Sequence, residues 1–149
     1  MARRHDSLIP FSRDHHQSLV RAVRMINAHS AAADRIAALQ GFVYEWDRRM
    51  RQHFIDEERL LIPLMLAEER SRLVGDHDAL RSMVEQARTI VEAGAEDGGL
   101  CGEAGTRLEA HVRWEERVLF PTIEQRATPE ELASLAYETA RIDADPPRA

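Results

Sequence analysis

Cysteine is nearly absent from this chain: Cys101 stands alone, which excludes an internal disulfide framework and any metal site built from several thiolates. Aromatic residues make up only 5% of the sequence, and no segment shows the two-residue alternation of a strand. No apolar run reaches the ~18 residues that a membrane-spanning helix needs. The charged start, Met1 to Asp6, leads into no apolar signal core, so a cytoplasmic location is expected. Positive charge is in deficit, with a formal net charge of −6 and basic residues scattered rather than striped. Nucleic acid is therefore not an expected partner, and neither is a membrane.

What is present is helical. The chain has 149 residues, enough for one domain with a real core, and its seven glycines and six prolines gather at a few points. Helical spacing of apolar residues predicts a first helix over about 12–28, with Leu19, Val23 and Ile26 as its stripe. A second runs over about 34–66, with Pro63 set to kink or end it, and a third over about 69–93. The stretch from Gly94 to Gly102 is the clearest loop, and a fourth helix follows over about 103–126. A fifth, short helix starts at Thr128-Pro129-Glu130-Glu131, which reads as a capping box with proline in the first turn. The expected architecture is all-α. Residues 1–11 form a leader, 12–126 an up-down-up-down four-helix bundle, 127–142 the C-terminal helix and 143–149 a tail.

The chemistry lies in an internal repeat. Residues 53–63 and 111–121 both fit His-x-x-x-Glu-Glu-Arg-[Leu/Val]-Leu-[Ile/Phe]-Pro, 58 residues apart. Positions i and i+4 of a helix share a face about one turn, or ~6 Å, apart. His53 with Glu57, and His111 with Glu115, can therefore each converge on a point, and imidazole with carboxylate suits Fe, Mn or Zn. A single pair at this spacing is usually an ordinary surface contact, but two copies in one eleven-residue frame are not. The first and third helices add Asp14-His15-His16 and Asp76-His77. In an up-down-up-down bundle, ligands at one level lie equally far from the intervening turn. The midpoint of His53 and His77 is residue 65, just past Pro63, and that of His77 and His111 is Gly94. The midpoint of His16 and Glu57 falls near residue 36, close to the break at Ala33-Asp34. All four elements can meet at one height.

This His…HisxxxGlu…His…HisxxxGlu pattern resembles the hemerythrin-like family of HHE cation-binding domains, over roughly residues 8–126. The resemblance implies a non-haem di-iron site in a four-helix bundle, with two carboxylate-bridged iron ions and Zn or Mn as substitutes. It implies one of His15 or His16, then His53, Glu57, His77, His111 and Glu115, as ligands, with Glu57 and Glu115 bridging. The matching ligand would be dioxygen, another small diatomic such as nitric oxide, or peroxide; iron supply is the other quantity such a site could report.

Two departures bear on that expectation. Oxygen-carrying hemerythrins have a second histidine four residues away on the third helix, where this chain has Leu73 and Arg81 around His77. The site is one imidazole short, leaving a position open, filled by water, or taken by Glu58, Glu116 or Asp76. An open position favours reactivity or sensing over carriage. A sensor would need a separate protein partner. An oxidoreductase of catalase-like or nitric-oxide-handling type is the enzymatic alternative, and a metal-free interaction module the third. The second departure is the His15-His16 pair, where matching Leu19 to Leu80 favours His16. Of the remaining residues, Glu58 and Glu116 read as solvated charges beside Arg59 and Arg117, and His5 and His29 as solvated or helix-end residues. Cys101 reads as an exposed loop thiol, and Tyr44, Trp46 and Trp114 as packing residues, with Trp114, which directly precedes Glu115, placed to border the site.

Overall fold

The computed structural model describes residues 3–144, and among them it contains helices and no strand. Helix α1 is Ile9–Asn27. Helix α2 covers residues 32–61, in which a π segment, Trp46–Met50, joins Ala32–Glu45 to Arg51–Leu61. Helix α3 is Ala67–Ala93. Helix α4 covers residues 100–126, with a second π segment, Glu115–Leu119, between Leu100–Trp114 and Phe120–Arg126. Helix α5 is Pro129–Ala144. The first four pack in a ring, α1 on α2, α2 on α3, α3 on α4 and α4 back on α1, as an up-down-up-down bundle requires. No helix among the described residues is long and apolar enough to cross a membrane.

Local chemistry sets the ends. Pro10 sits in the first turn of α1, where its missing N–H costs nothing, and the helix therefore begins three residues before Ser12. Leu8 and Phe11, expected in a leader, are core residues. Pro63 falls in a short 3-10 turn, Ile62–Leu64, that ends α2 before Leu66. Gly94 closes α3 at a φ of 62°. Gly98 and Gly99, also at positive φ, carry the chain into α4 at Leu100, and the Asp97 carboxylate accepts the Cys101 N–H at 3.0 Å. The expected loop thus stops three residues early. Cys101 is helical and 1% exposed, and its thiol donates to the Met25 carbonyl at 3.3 Å. Thr128 and Glu131 form the expected reciprocal box at 3.1 and 2.9 Å. The end of the expected tail, residues 145–149, lies outside the described residues.

The buried face of α1 runs through Phe11, His15, Ser18, Ala22 and Met25, one residue earlier than the predicted stripe. Val23 is exposed. A buried serine in mid-stripe is what hid the true register. Two apolar clusters occupy the two ends of the bundle. One gathers Met25, Phe42, Leu80, Val84 and Leu108 among others. The other gathers Leu8, Phe11, Leu61, Leu73, Phe120 and Leu135, so both the N-terminal segment and α5 close that end. A layer of polar side chains lies between them.

Candidate metal centre

That layer is made by one or two positions on each helix. His15 lies on α1 between Phe11 and Ala22, and His77 on α3 between Leu73 and Leu80. His53 and Glu57 lie on α2, and His111 and Glu115 on α4, each pair one turn apart as the repeat predicts. All six side chains are buried. His16 is exposed and stands outside the group, as do His5 and His29. The His5 ring is half-buried and bonded to the Ser7 hydroxyl at 2.7 Å rather than solvated. Matching Leu19 with Leu80 favours His16, but the position that matches Leu80 is Ser18, which leaves His15 facing inward.

Two overlapping sets form. His15, His53, Glu57 and Glu115 present one ligand atom each within 4.8 Å of one another, and so do Glu57, His77, His111 and Glu115. Both sets contain the same two carboxylates. One Glu57 oxygen lies 3.2 Å from the His53 Nε2, and the other lies 3.2 Å from the His77 Nε2. Glu115 Oε1 lies 3.1 Å from the His15 Nε2 and 3.2 Å from the His111 Nε2.

The outward nitrogen of every ring meets its own carboxylate. His15 Nδ1 faces Glu116 at 2.8 Å, His53 Nδ1 faces Asp14 at 2.9 Å, His77 Nδ1 faces Glu58 at 2.5 Å and His111 Nδ1 faces Asp76 at 3.0 Å. An ionised carboxylate only accepts, so each Nδ1 carries the proton and each Nε2 turns inward. The pairing has an approximate two-fold pattern. The aspartate of α1 holds the histidine of α2 and that of α3 holds the histidine of α4; the outer glutamates of α2 and α4 hold the histidines of α3 and α1. Glu58 and Glu116 are thus neither free solvated charges nor inward ligands, and Asp76 does not turn inward. The doubled Glu-Glu and Asp-His of the repeats were the available signal.

Electrostatics sharpen the picture. Burial would lower His111, but the Glu115 charge and the hydrogen bond that its Nδ1–H donates to Asp76 outweigh it and push the ring up to about 10. Burial likewise opposes the charge on His53, yet Glu57 and Asp14 carry it well above the usual imidazole value. His15 is raised in the same way, against burial, by Glu115 and Glu116. Glu115, although burial works against its charge, is held well below the ordinary carboxylate range by His111, Glu57 and His15. The pocket demands positive charge between its carboxylates.

Whether a cation fits can be judged from the unsatisfied atoms. Eight buried side-chain nitrogens and oxygens lack a hydrogen-bond partner among the described residues. Six of them are Nε2 of His53, His77 and His111, both oxygens of Glu57, and Glu115 Oε2. Each unpaired buried polar group costs about 1–3 kcal/mol, and more if charged. Metal ions satisfy exactly this set of nitrogen and oxygen lone pairs, so the residues fit the group. The aromatic neighbours are apolar walls. Trp46 is packed in the core, Trp114 has its ring 6.1 Å from that of His111, and Tyr44, expected to pack, is 58% exposed under Arg21.

The family model described as "Hemerythrin HHE cation binding domain" matches this chain over residues 7–104 and 72–145. No curated protein and no solved structure matches it.

Proposed function

The chain belongs to the hemerythrin HHE cation-binding domain family, and from that premise we propose that its core holds two iron ions bridged by Glu57 and Glu115. In this reading the centre binds or senses dioxygen, nitric oxide or peroxide, or reports iron supply. The observation that carries it is the sharing of Glu57 and Glu115 by both ligand sets. His15 and His53 would serve one ion, and His77 and His111 the other. Imidazole with carboxylate suits iron, with zinc or manganese as substitutes.

Each ion would be held by two imidazole nitrogens and by the two shared carboxylates. That donor set would leave room on each ion for water or an incoming ligand. Leu73, one turn before His77, adds no donor, and this supports a reactive or sensing centre over a carrier. Iron would supply Lewis acidity and one-electron redox chemistry. The chain's own groups do the rest. Asp14, Glu58, Asp76 and Glu116 hold the Nδ1 protons and so aim the Nε2 lone pairs inward, while the apolar clusters at either end keep bulk water out. A sensing role would be completed by a separate protein partner.

Metal analysis after iron-replete expression tests the proposal. About two iron ions per chain are expected, with the near-ultraviolet absorption of an oxo-bridged diferric pair, at which zinc is silent. Well under one transition-metal ion per chain would sink it. Catalytic turnover of peroxide or nitric oxide, lost in His53→Ala, would move the assignment to an oxidoreductase; stoichiometric binding without turnover keeps it with binding or sensing.

A further inference from the structure

Two arginines stand behind the centre in matching positions, although they come from unrelated parts of the chain. Arg81, one turn past His77 on α3, donates to Glu58 at 2.7 Å, the carboxylate that holds the His77 Nδ1. Its guanidinium also lies 5.9 Å over the Phe54 ring, which stacks on the His77 ring at 3.8 Å and 5°. Arg4, in the segment before α1, lies 3.4 Å from Glu116, the carboxylate that holds the His15 Nδ1. Its guanidinium sits 5.5 Å over the Phe120 ring, which stacks on the His15 ring at 5.6 Å and 11°. Phe54 and Phe120 do not occupy equivalent places in the repeat, so the likeness is one of arrangement and not of ancestry.

Arg4 is tied in further by the π segment of α4. There the Phe120 N–H bonds to the Glu115 carbonyl, five residues back. The next N–H in that pattern would come from residue 121, which is proline, so the Glu116 carbonyl has no donor within the helix. Arg4 supplies it at 2.8 Å, and its other nitrogen bonds Glu124 at 2.5 Å. The N-terminal segment is thereby fixed to the same turn that carries Glu115 and Glu116.

Resting on the reading of the cluster as a metal centre, we infer that Arg4 and Arg81 are positioning residues of that centre, each holding one histidine ring through its Nδ1 carboxylate and through an aromatic ring stacked on its face. The segment around Arg4 is then a working part of the centre. Outer-shell partners of metal-bound histidines are worth about 10–100-fold in metal affinity. A planar guanidinium can bond the carboxylate and stack on a ring at once, a geometry that a compact ammonium matches less well.

Site-selective imidazole NMR of the full chain, first metal-free and then loaded with iron or cobalt, tests this. In Arg81→Met the His77 Nδ1–H is expected to exchange with solvent about tenfold faster while His15 stays unchanged; in Arg4→Met the two swap. In the loaded protein, each variant should lose metal to a chelator about tenfold faster. Arg81→Lys, which keeps the charge and the fold but not the stacking, should fall between. Both rings loosening by the same factor, or neither responding, overturns the inference. If the wild type takes up no metal, the proposed function fails, and the ring exchange in metal-free protein still decides the positioning role.

Discussion

An imidazole that gives its Nδ1–H to an ionised carboxylate keeps its other nitrogen directed away from that carboxylate, and four histidines of this chain are held in that way. The consequence at His15 is testable against its neighbour. His15→Ala removes a donor nitrogen and leaves Glu116 without its ring partner, so metal content should fall to one ion or fewer per chain. His16→Ala, at an exposed position, should leave it unchanged. Metal analysis of the two variants side by side decides the register. Cys101 invites a second prediction. Burial, with the Asp97 charge beside it, raises the thiol above its ordinary value, so the reactive thiolate is scarcer than usual at neutral pH. A thiol reagent at pH 7–8 should label the folded protein slowly, and one equivalent should react promptly in denaturant. The convergence of His53, Glu57, His111 and Glu115 was legible because His-x-x-x-Glu occurs twice. The roles of Glu58 and Glu116 were not, because a second glutamate beside a ligand looks the same in sequence whether it faces water or an imidazole.

Helix boundaries followed local chemistry where that chemistry is short-range, as at Thr128 and Gly94, and departed from it where tertiary contacts intervene. Glycines in a loop-like run concealed the first turn of α4, whose entry depends on Asp97 as well as on Gly98 and Gly99. The π segments had no sequence signature at all. The spacing of α1 and α4 rests on Gly105, where an added Cβ would lie 2.9 Å from both the Ala22 carbonyl oxygen and Ile26 Cγ1. The closest obstacle is backbone, so relief requires the helices to part. Overpacking of this kind costs about 1–3 kcal/mol, which exceeds the roughly 1 kcal/mol that alanine gains over glycine in a helix. Gly105→Ala should therefore lower the melting temperature. Gly75, on α3 with nothing within 4 Å of such a Cβ, offers the opposite case. Gly75→Ala should raise the melting temperature by a few degrees, since about 1 kcal/mol shifts a domain of this size by ~2–4 °C. Calorimetry of both metal-free variants checks the pair.

For the molecule as a whole, the polar layer between two apolar clusters sets a conflict that the rest of the fold must carry. Four imidazoles and two carboxylates are buried at mid-bundle, and six of their atoms have no hydrogen-bond partner among the described residues. Apolar residues there would have stabilised the bundle more, so the layer lowers the stability of the metal-free chain in exchange for affinity. A bound ion returns that loss, because ligand that binds only the folded state adds about 2.7 kcal/mol at a hundredfold excess over its dissociation constant. At ~2–4 °C per kcal/mol this predicts a rise of roughly 5–10 °C in the melting temperature on loading, reversed by a strong chelator. The dependence on pH has a definite sign. Metal binds the deprotonated Nε2 and carboxylate atoms, so protons compete with it and its contribution shrinks as pH falls. Melting curves of loaded and chelated protein should therefore converge toward acid pH and separate toward neutral. Curves that coincide at every pH would mean that the layer holds no ion, and that its charges are balanced by protons alone.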